Sequence, residues 1–252
     1  MTAAPSRGAA IVTGAPRRIG RVLALTAADA GYDVAVHARD DDADVESLIA
    51  EIGAKGREAV AVIGDLADAE TPARLVSEAR EALGPLSLLV NSASLFEDDR
   101  IETLTAASFD AHAHANLRAP LLLSQAFARQ APAGALIVNI LDQRVWKPTP
   151  QNFSYAISKA ALWQATRMMA QALAPRIRVN GIGPGPTLPS IHQTEATFAA
   201  EAAGVPLERH ATPDEIAHAL RYLIDAGSVT GQMIAVDAGQ HLGWRTPDII
   251  EP

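Results

Sequence analysis

The 252-residue chain contains no cysteine and no long apolar run. The first absence excludes disulfide bonds, thiolate catalysis and cysteine-ligated zinc, and it fits a reducing compartment. The second leaves nothing near the roughly 18 consecutive apolar residues needed to span a bilayer, and the opening segment lacks the apolar stretch of a secretory signal. We therefore expect a soluble, cytoplasmic protein with no membrane partner.

Basic residues are outnumbered, with 21 Lys and Arg against 29 Asp and Glu and a net charge of -8. This balance argues against a broad nucleic-acid surface, although local basic pockets for an anionic cofactor stay possible. Histidines are scattered, and no His-Glu cluster indicates a catalytic metal. His112 and His114 lie two residues apart, which is the wrong spacing for one helix face, so we interpret both as surface or interface residues.

The 48% hydrophobic content is enough for one sizeable core, and no linker interrupts the chain, so residues 1–252 are expected to form a single domain. Short apolar runs alternate with stretches of helical period, which is typical of β-α-β units. This pattern predicts an α/β fold with a Rossmann-type, doubly wound parallel sheet of about seven strands and helices on both faces. The predicted strands are Ala9 to Thr13, Asp33 to His37, Glu58 to Ile63, Ser87 to Asn91, Ala135 to Leu141, Arg176 to Asn180 and Gln232 to Val236.

Five stretches carry helical patterning. They are Ile19 to Ala30, Val45 to Ile52, Pro72 to Leu83, Phe109 to Arg129 and Phe153 to Leu173. The segment that follows the sixth strand is proline-rich and only weakly periodic. Because long loops in compact domains are often lids or binding loops, we expect a substrate lid at about 186–209. An ordinary surface crossover is the alternative.

The first strand runs into the segment Thr13 to Gly20 and then directly into a helix. Glycines in such a turn let the backbone approach a pyrophosphate at the positive end of the helix. The turn therefore predicts a dinucleotide site, although a tight strand-to-helix connection alone would look similar. Its candidate cofactor-binding residues are Gly14, Arg17, Arg18, Ile19 and Gly20.

The second predicted strand ends at His37, followed closely by Arg39. Sites that prefer NAD place an acid here for the ribose hydroxyls, whereas NADP sites place a basic group for the extra phosphate. Arg39 therefore favours NADP(H), and the run Asp40 to Asp42 is expected to cap the next helix and face solvent. Asp65, after the third strand, is expected either to accept from the adenine amine or to cap its own loop.

Tyr155 and Lys159 are four residues apart, which on a helix places the phenol and the ammonium on one face. A lysine within reach lowers the pKa of the phenol and prepares it for proton transfer near neutrality. Asp142 lies upstream, at the end of a predicted strand. A nearby carboxylate raises the pKa of a phenol instead, and it donates no hydrogen bond unless it is protonated. The combination indicates a substrate with N–H donors rather than a bare ketone.

Taken together, these motifs resemble the short-chain dehydrogenase/reductase family over essentially the whole chain. The motifs are the Thr13 to Gly20 turn, Asp65-Leu66, Asn91-Ser92-Ala93-Ser94, Asn116, Tyr155 with Lys159, Arg178 to Gly185, and Thr230 to Asp237. The resemblance implies hydride transfer to or from a nicotinamide. It also implies that Tyr155 is the acid/base, that Lys159 binds the ribose and tunes Tyr155, and that Asn116 holds a proton-relay water. Further cofactor contacts implied in this way are His37, Leu66, Asn91, Ser92, Ala93, Pro184 and Gly185.

Two departures from the common pattern resemble the pteridine reductase branch of that family. The usual Asn-Asn-Ala-Gly is Asn-Ser-Ala-Ser, and the usual catalytic serine is Asp142. In that branch the glycine turn also carries an arginine, and an aromatic residue stacks on the pterin. The implied substrate-binding residues are Arg18, Ser94, Phe96, Asp142 and Tyr155. Taken singly, Phe96 is more often a core residue than a stacking platform, and a solvated loop residue at a strand end is the alternative interpretation of Asp142.

These observations predict an NADPH-dependent reductase of a small pterin-like heterocycle. A general ketoreductase acting on 3-oxoacyl or sugar and alcohol carbonyls is the alternative, although a ketone oxygen would lose the serine donor. A non-catalytic NADP-binding sensor or scaffold is the other possibility, but it would have no need of a proton relay. The alanine-rich helix Phe153 to Leu173 predicts self-association, and the resemblance implies a homotetramer.

Overall fold

The computed structural model describes residues 6–189 and 193–244, and within them seven parallel strands form one sheet. The strand order is β3-β2-β1-β4-β5-β6-β7, which confirms the expected doubly wound α/β fold. The strands are β1 Ala9–Val12, β2 Asp33–Ala38, β3 Ala59–Ile63, β4 Leu86–Asn91, β5 Ala135–Ile140, β6 Ile177–Pro184 and β7 Met233–Val236.

Helices cover both faces of this sheet. They are α1 Arg18–Asp29, α2 Ala43–Ala54, α3 Thr71–Leu83, α4 Ala106–Ala113, α5 Ala119–Gln130, α6 Phe153–Leu173, α7 Glu195–Ala203 and α8 Pro213–Asp225. Alternate strand residues point into two cores, so that Val12 packs with α1, α2 and α8 while Ile11 packs with α3 and α5. Burial on both faces explains why the strands are continuous apolar runs rather than alternating ones. No helix of the described part of the chain is long and apolar enough to cross a membrane.

The single helix expected from Phe109 to Arg129 is wrong in detail. The structure has α4, then a π-helical turn at His114–Arg118, and then α5. Pro120 explains the break, because it lies in the first turn of α5 and has no N–H to continue the hydrogen-bond ladder. Such π turns are frequent at functional sites, and this one carries Asn116.

Two helices were missed by the sequence interpretation. α7 begins after the cap Thr194, inside the expected lid. α8 begins with a capping box between Thr212 and Glu215 and has Pro213 in its first turn, which are recognisable start signals. Parts of two expected features lie outside the described residues. They are 190–192 of the expected lid, and 1–5 and 245–252 of the expected domain.

The strand order changes direction between β1 and β4, which lie side by side but are separated in the chain. In doubly wound sheets, a ligand crevice opens at this point beyond the carboxyl ends of the strands. The loops that follow β1, β4, β5 and β6 meet there, so the fold brings distant motifs to one place.

Candidate active site

A cavity of about 990 Å³ opens at the carboxyl ends of the strands and collects most of the predicted site residues. Those in its wall are Gly14, Arg17, Arg18, Ile19, Gly20, Ser92, Ala93, Ser94, Phe96, Asp142, Tyr155, Lys159, Pro184 and Gly185. Predicted residues that do not line it are His37, Arg39, Asp65, Leu66, Asn91 and Asn116. Among the cavity-wall residues that the sequence interpretation missed are Asp98, Arg144, Asn152, Phe198, Glu201 and Gln240.

Close backbone packing at the β1-α1 turn requires its glycines. Gly14 has a φ of +63°, and a Cβ there would lie 2.9 Å from Ala93 Cα. A Cβ on Gly20 would lie 2.0 Å from the carbonyl oxygen of Gly14. Thr13 Oγ1 accepts hydrogen bonds from the backbone N–H groups of Ser92 and Ala93, at 2.9 and 3.0 Å. The turn and the loop after β4 therefore form one rigid floor for the cavity.

The N-terminus of α1 faces this cavity without a side-chain cap. Arg17 occupies the N-cap position with extended backbone, and no acidic residue lies in the first turn. The first N–H groups of a helix have no intrahelical partner and carry partial positive charge. This end of α1 fits an anionic group such as a pyrophosphate.

His37 is buried beneath the turn rather than exposed to the cavity. Its Nδ1 accepts from the N–H of Gly14 at 3.1 Å, and its Nε2 lies 3.0 Å from the carbonyl oxygen of Gly64. Because a carbonyl only accepts, Nε2 carries the proton and the ring is neutral. Burial lowers the pKa of His37, in spite of the hydrogen bond to Gly64. The expected cofactor contact is therefore corrected to a support for the glycine turn.

The basic residues expected near the ribose are exposed and engaged with carboxylates. Arg39 pairs with Asp40 at 3.0 Å, and Arg17 pairs with Asp42 and Asp44. Asp42 also accepts from the first N–H groups of α2, which makes it the cap that the acidic run was expected to supply. Any phosphate bound at the end of β2 would have to share these arginines with their carboxylates.

Three further predicted cofactor residues lie in structural positions. Asp65 caps its own loop by accepting from Ala67 N–H at 2.8 Å, which is the second of its two expected roles. Leu66 belongs to the core between the sheet and α3. Asn91 is buried and donates to Asn139 Oδ1 at 2.8 Å, which links the ends of β4 and β5.

Asn116 ties the π turn to the cavity floor and to α6. Its Oδ1 accepts from Ser94 Oγ and from Leu95 N–H, at 3.1 and 2.8 Å. Its Nδ2 donates to Leu95 O and to Ser158 Oγ, at 2.9 and 3.1 Å. These four bonds occupy the usual capacity of an amide. A relay water would therefore have to bond to other groups of this region.

Tyr155, Lys159 and Asp142 meet at the end of β5. Tyr155 Oη donates to Asp142 Oδ2 at 2.9 Å, and Lys159 Nζ donates to the carbonyl oxygen of Ile140 at 2.8 Å. Burial raises the pKa of Tyr155 well above its ordinary value, and Asp142 raises it further. The expectation that Lys159 brings this pKa down is wrong for the described structure, because burial and the carboxylate raise it and the opposing charge is that of Arg144. Burial also lowers the pKa of Lys159 to about 8.

Phe96 and Arg144 complete the wall beside Tyr155. The Phe96 ring packs edge-to-face against Tyr155, with 4.7 Å between centroids. The guanidinium carbon of Arg144 lies 5.9 Å from the Phe96 centroid, and its Nη1 lies 3.3 Å from Asp142 Oδ2. Asp142 is buried, so its interpretation as a solvated loop residue is excluded.

A polar network that the sequence interpretation missed anchors the start of α6. Asp99 is buried and accepts from both the N–H and the hydroxyl of Ser154, and from Ser108 Oγ. His112 is also buried, with Nδ1 donating to Ser108 O, so its interpretation as a surface residue is wrong. The network connects the loop after β4 with α4 and α6, and it fixes the helix that carries Tyr155.

The segment after β6 also contributes to the cavity wall. Pro186, Leu188 and Phe198 line the cavity wall. Arg18, which the sequence assigns to the substrate or the cofactor, lines the cavity and donates to the carbonyl oxygens of Leu188 and Pro189 at 3.2 and 3.0 Å. The guanidinium thus joins the glycine turn to the segment expected to be the lid.

Comparison with known proteins agrees with this geometry. A family model described as enoyl-(acyl carrier protein) reductase matches residues 14–241. The crystal structure of FolM alternative dihydrofolate reductase 1 from Brucella canis, complexed with NADP, has a TM-score of 0.93 and 43% identity, over 99% of this chain and 100% of that one.

Relatives that are described as other kinds of oxidoreductase also align over nearly the whole chain. The uncharacterized oxidoreductase YghA of Escherichia coli is 34% identical over 93% of this chain and 83% of its own. A 3-oxoacyl-(acyl-carrier-protein) reductase of Synechocystis is 30% identical over 91% and 95%. With the doubly wound sheet and the Tyr155–Lys159 pair, these matches show that the chain belongs to the short-chain dehydrogenase/reductase family of oxidoreductases.

Proposed function

We propose that this enzyme uses NADPH to reduce a flat, pterin-like heterocycle. The observation that carries the proposal is Asp142, a buried carboxylate that bonds to the Tyr155 hydroxyl. A carboxylate at this position accepts hydrogen bonds and donates none, which suits ring N–H and amino groups better than a ketone oxygen. The structural relative from Brucella canis, described as an alternative dihydrofolate reductase, supports the same substrate class.

The residues of the cavity floor fit NADP(H). The uncapped N-terminus of α1 would hold the pyrophosphate, and Gly14 and Gly20 permit its close approach. Lys159 lines the same cavity and would donate to the nicotinamide ribose. When bound, the cofactor supplies a hydride from its nicotinamide ring. The solved relative that contains NADP supports this choice of cofactor.

Tyr155 is proposed to be the proton donor. Because its pKa is raised by burial and by Asp142, the phenol holds its proton at neutral pH. An acid in its protonated form is what hydride addition to a C=N bond needs, since the nitrogen must gain a proton. Asp142 orients the hydroxyl, and Lys159 adds positive charge to the site.

Phe96 and Asp142 are proposed to recognise the substrate. Asp142 accepts three hydrogen bonds from protein groups, one from Tyr155 and two from Arg144. A carboxylate offers about four acceptor positions, so one stays open for a substrate N–H. Phe96 lines the same part of the cavity, and stacking of a flat ring on it adds about 0.5–1.5 kcal/mol beyond area burial.

A general ketoreductase is the second candidate. It is favoured by the relatives described as 3-oxoacyl-(acyl-carrier-protein) reductases and by the description of the matching family model. The missing hydroxyl donor at position 142 argues against it, because a developing alkoxide would face a carboxylate.

The two candidates are separated by measuring NADPH oxidation with a dihydropterin, a 3-oxoacyl thioester and a simple activated ketone. We expect the highest kcat/KM with the dihydropterin. Efficient reduction of the carbonyl substrates together with no reduction of the dihydropterin would replace the first proposal with the second.

A further inference from the structure

Arg144 occupies a position that neither the motifs nor the proposed reaction assigns. It lies on a short 3-10 turn, Gln143–Val145, which Asp142 caps by accepting from the Arg144 N–H at 2.8 Å. The tight turn folds the side chain back, so that Nη1 also reaches Asp142 Oδ2. The guanidinium is mostly buried, lines the cavity, and lies beside the Phe96 ring.

The charges around Asp142 make this contact important. A buried carboxylate is strongly disfavoured unless a cation pairs with it. On α6, Tyr155 is a neutral donor, and Lys159 directs its Nζ to Ile140 O. Among the described residues, Arg144 is therefore the cation in hydrogen-bond contact with Asp142. Other charged groups in the cavity wall are Asp98 after β4, Glu201 on α7, and Arg17 and Arg18 at the glycine turn.

The guanidinium also has an unused donor. Its Nε is buried and has no hydrogen-bond partner among the described residues. Arg144 bonds to Asp142 through its backbone N–H and, from the guanidinium, through Nη1. A buried donor without a partner is unfavourable, so a purely structural role would leave this arginine poorly satisfied.

We propose that Arg144 is a positioning residue that fixes the orientation of the Asp142 carboxylate and thereby selects substrates with N–H donors over carbonyl substrates. The inference rests on the proposed function, and it names the side chain that keeps the open acceptor position of Asp142 in place. Without the arginine side chain, Asp142 loses the contact from Nη1 at 3.3 Å. Its carboxylate is then held by two hydrogen bonds instead of three, and the acceptor for a substrate N–H is less firmly placed.

The test compares a neutral variant, Arg144→Gln, with a charge-retaining one, Arg144→Lys. Steady-state kcat and KM are measured at neutral pH for a dihydropterin and for an activated ketone. For Arg144→Gln we expect kcat/KM for the dihydropterin to fall by about tenfold, the loss of one charge-assisted hydrogen bond, while ketone reduction holds or rises. Arg144→Lys, which keeps the charge and a donor, should recover most of the dihydropterin activity.

A double-mutant cycle gives a second readout. In the Asp142→Asn background, Arg144→Gln should have little further effect on either substrate, because the carboxylate that the arginine positions is already gone. Equal losses for both substrates in Arg144→Gln and Arg144→Lys, or additive losses in the cycle, would overturn the inference. Failure of the proposed function gives a different result, namely a wild type that does not reduce dihydropterins, whereas the coupling between positions 142 and 144 is then still measured with the activated ketone.

Discussion

The carboxylate of Asp99 accepts hydrogen bonds from both the backbone N–H and the hydroxyl of Ser154, the residue that precedes Tyr155. Asp99 belongs to the loop after β4, which also carries Phe96 into the cavity wall. Burial opposes ionisation of Asp99, but the hydrogen bonds from Ser154 and Ser108 hold its pKa below the ordinary value. One carboxylate thus couples the loop of the cavity wall to the helix of the proposed proton donor.

Replacement of Asp99 by Ala is expected to destabilise the fold by roughly 1–3 kcal/mol, because buried donors on Ser154 lose their acceptor. The pKa of an aspartate in the unfolded chain is about 3.9, and that of Asp99 in the folded protein is lower. The ionised carboxylate therefore stabilises the fold above pH 3.9, and this stabilisation is lost as the pH falls through the folded-state pKa. The difference between wild type and variant in urea unfolding should therefore shrink on strong acidification. Asp110→Ala, at an exposed position on α4, is the control; a pH-independent difference for Asp99→Ala would contradict the assignment.

His37 makes the cofactor turn sensitive to acid. Its neutral ring accepts from Gly14, and its folded-state pKa is lowered by burial. In the unfolded chain the pKa of this histidine is about 6.5, so the unfolded chain takes up a proton first as the pH falls. The free energy of unfolding therefore decreases from about pH 6.5 down to the folded-state pKa of His37. Protonation also removes the acceptor of Gly14.

We expect NADPH affinity, measured by fluorescence titration, to weaken only as the pH falls through the folded-state pKa of His37, which lies below the ordinary value of about 6.5. His37→Gln should bind more weakly at neutral pH and show a flatter pH dependence. His218→Gln, on α8 and outside the cavity wall, serves as control. Identical pH dependence in wild type and His37→Gln would contradict the proposed role.

Cofactor preference is expected to depend on Arg39 at the end of β2. Its side chain is 73% exposed and, among the described residues, pairs with the neighbouring Asp40, so it is able to turn toward a ribose phosphate. Arg39→Ala should lower kcat/KM for NADPH by roughly tenfold, the loss of one charge-assisted hydrogen bond, and spare NADH. Arg129→Ala, exposed on α5, is the matched control. Equal kcat/KM for the two cofactors in the wild type would refute the preference itself.

We propose self-association through α6, with the number four taken from the family resemblance. Its outer face carries Ile157 and Met168, which are 41% and 58% exposed, together with the exposed small residue Ala160. A face of this composition favours close helix contact. Light scattering at micromolar concentration should give a tetramer, and Ala160→Arg should give a smaller species. Ala54→Arg, at the exposed end of α2, should not, and a monomeric wild type would refute the proposal.

Part of this site was predictable from the sequence because it depends on local patterns. The strands are apolar runs, the glycine turn follows the first of them, and Tyr155 and Lys159 share a helix face by spacing alone. The cap at Asp42 was likewise expected from its place before α2. The start signals of α8 at Thr212 and Glu215 are equally local, so this helix is predictable from the sequence as well.

The remainder depends on tertiary contacts that spacing does not encode. The ring of His37 turns inward to Gly14, although its position at a strand end suggested a cofactor contact. Asp99 lies in an acidic run that resembles a solvated loop, yet it is buried against Ser154. The partnership of Arg144 with Asp142 arises from a 3-10 turn of three residues, which carries no periodic signal.

Asp142 either selects the substrate or merely replaces a serine, and its substitution by serine separates the two roles. If it accepts from a ring N–H, Asp142→Ser should lower kcat/KM for a dihydropterin by an amount equivalent to about 1.5–3 kcal/mol. The pKa of Tyr155 should fall, because Asp142 raises it in the wild type. A serine restores a hydroxyl donor, so reduction of an activated ketone should hold or rise.

Two controls separate this role from general damage to the site. NADPH affinity of Asp142→Ser should stay at the wild-type value, since the glycine turn and α1 are untouched. Tyr155→Phe should abolish reduction of both substrates, because neither would receive its proton. If Asp142→Ser instead leaves dihydropterin reduction intact, the carboxylate has no part in substrate selection, and the general ketoreductase becomes the better description of this enzyme.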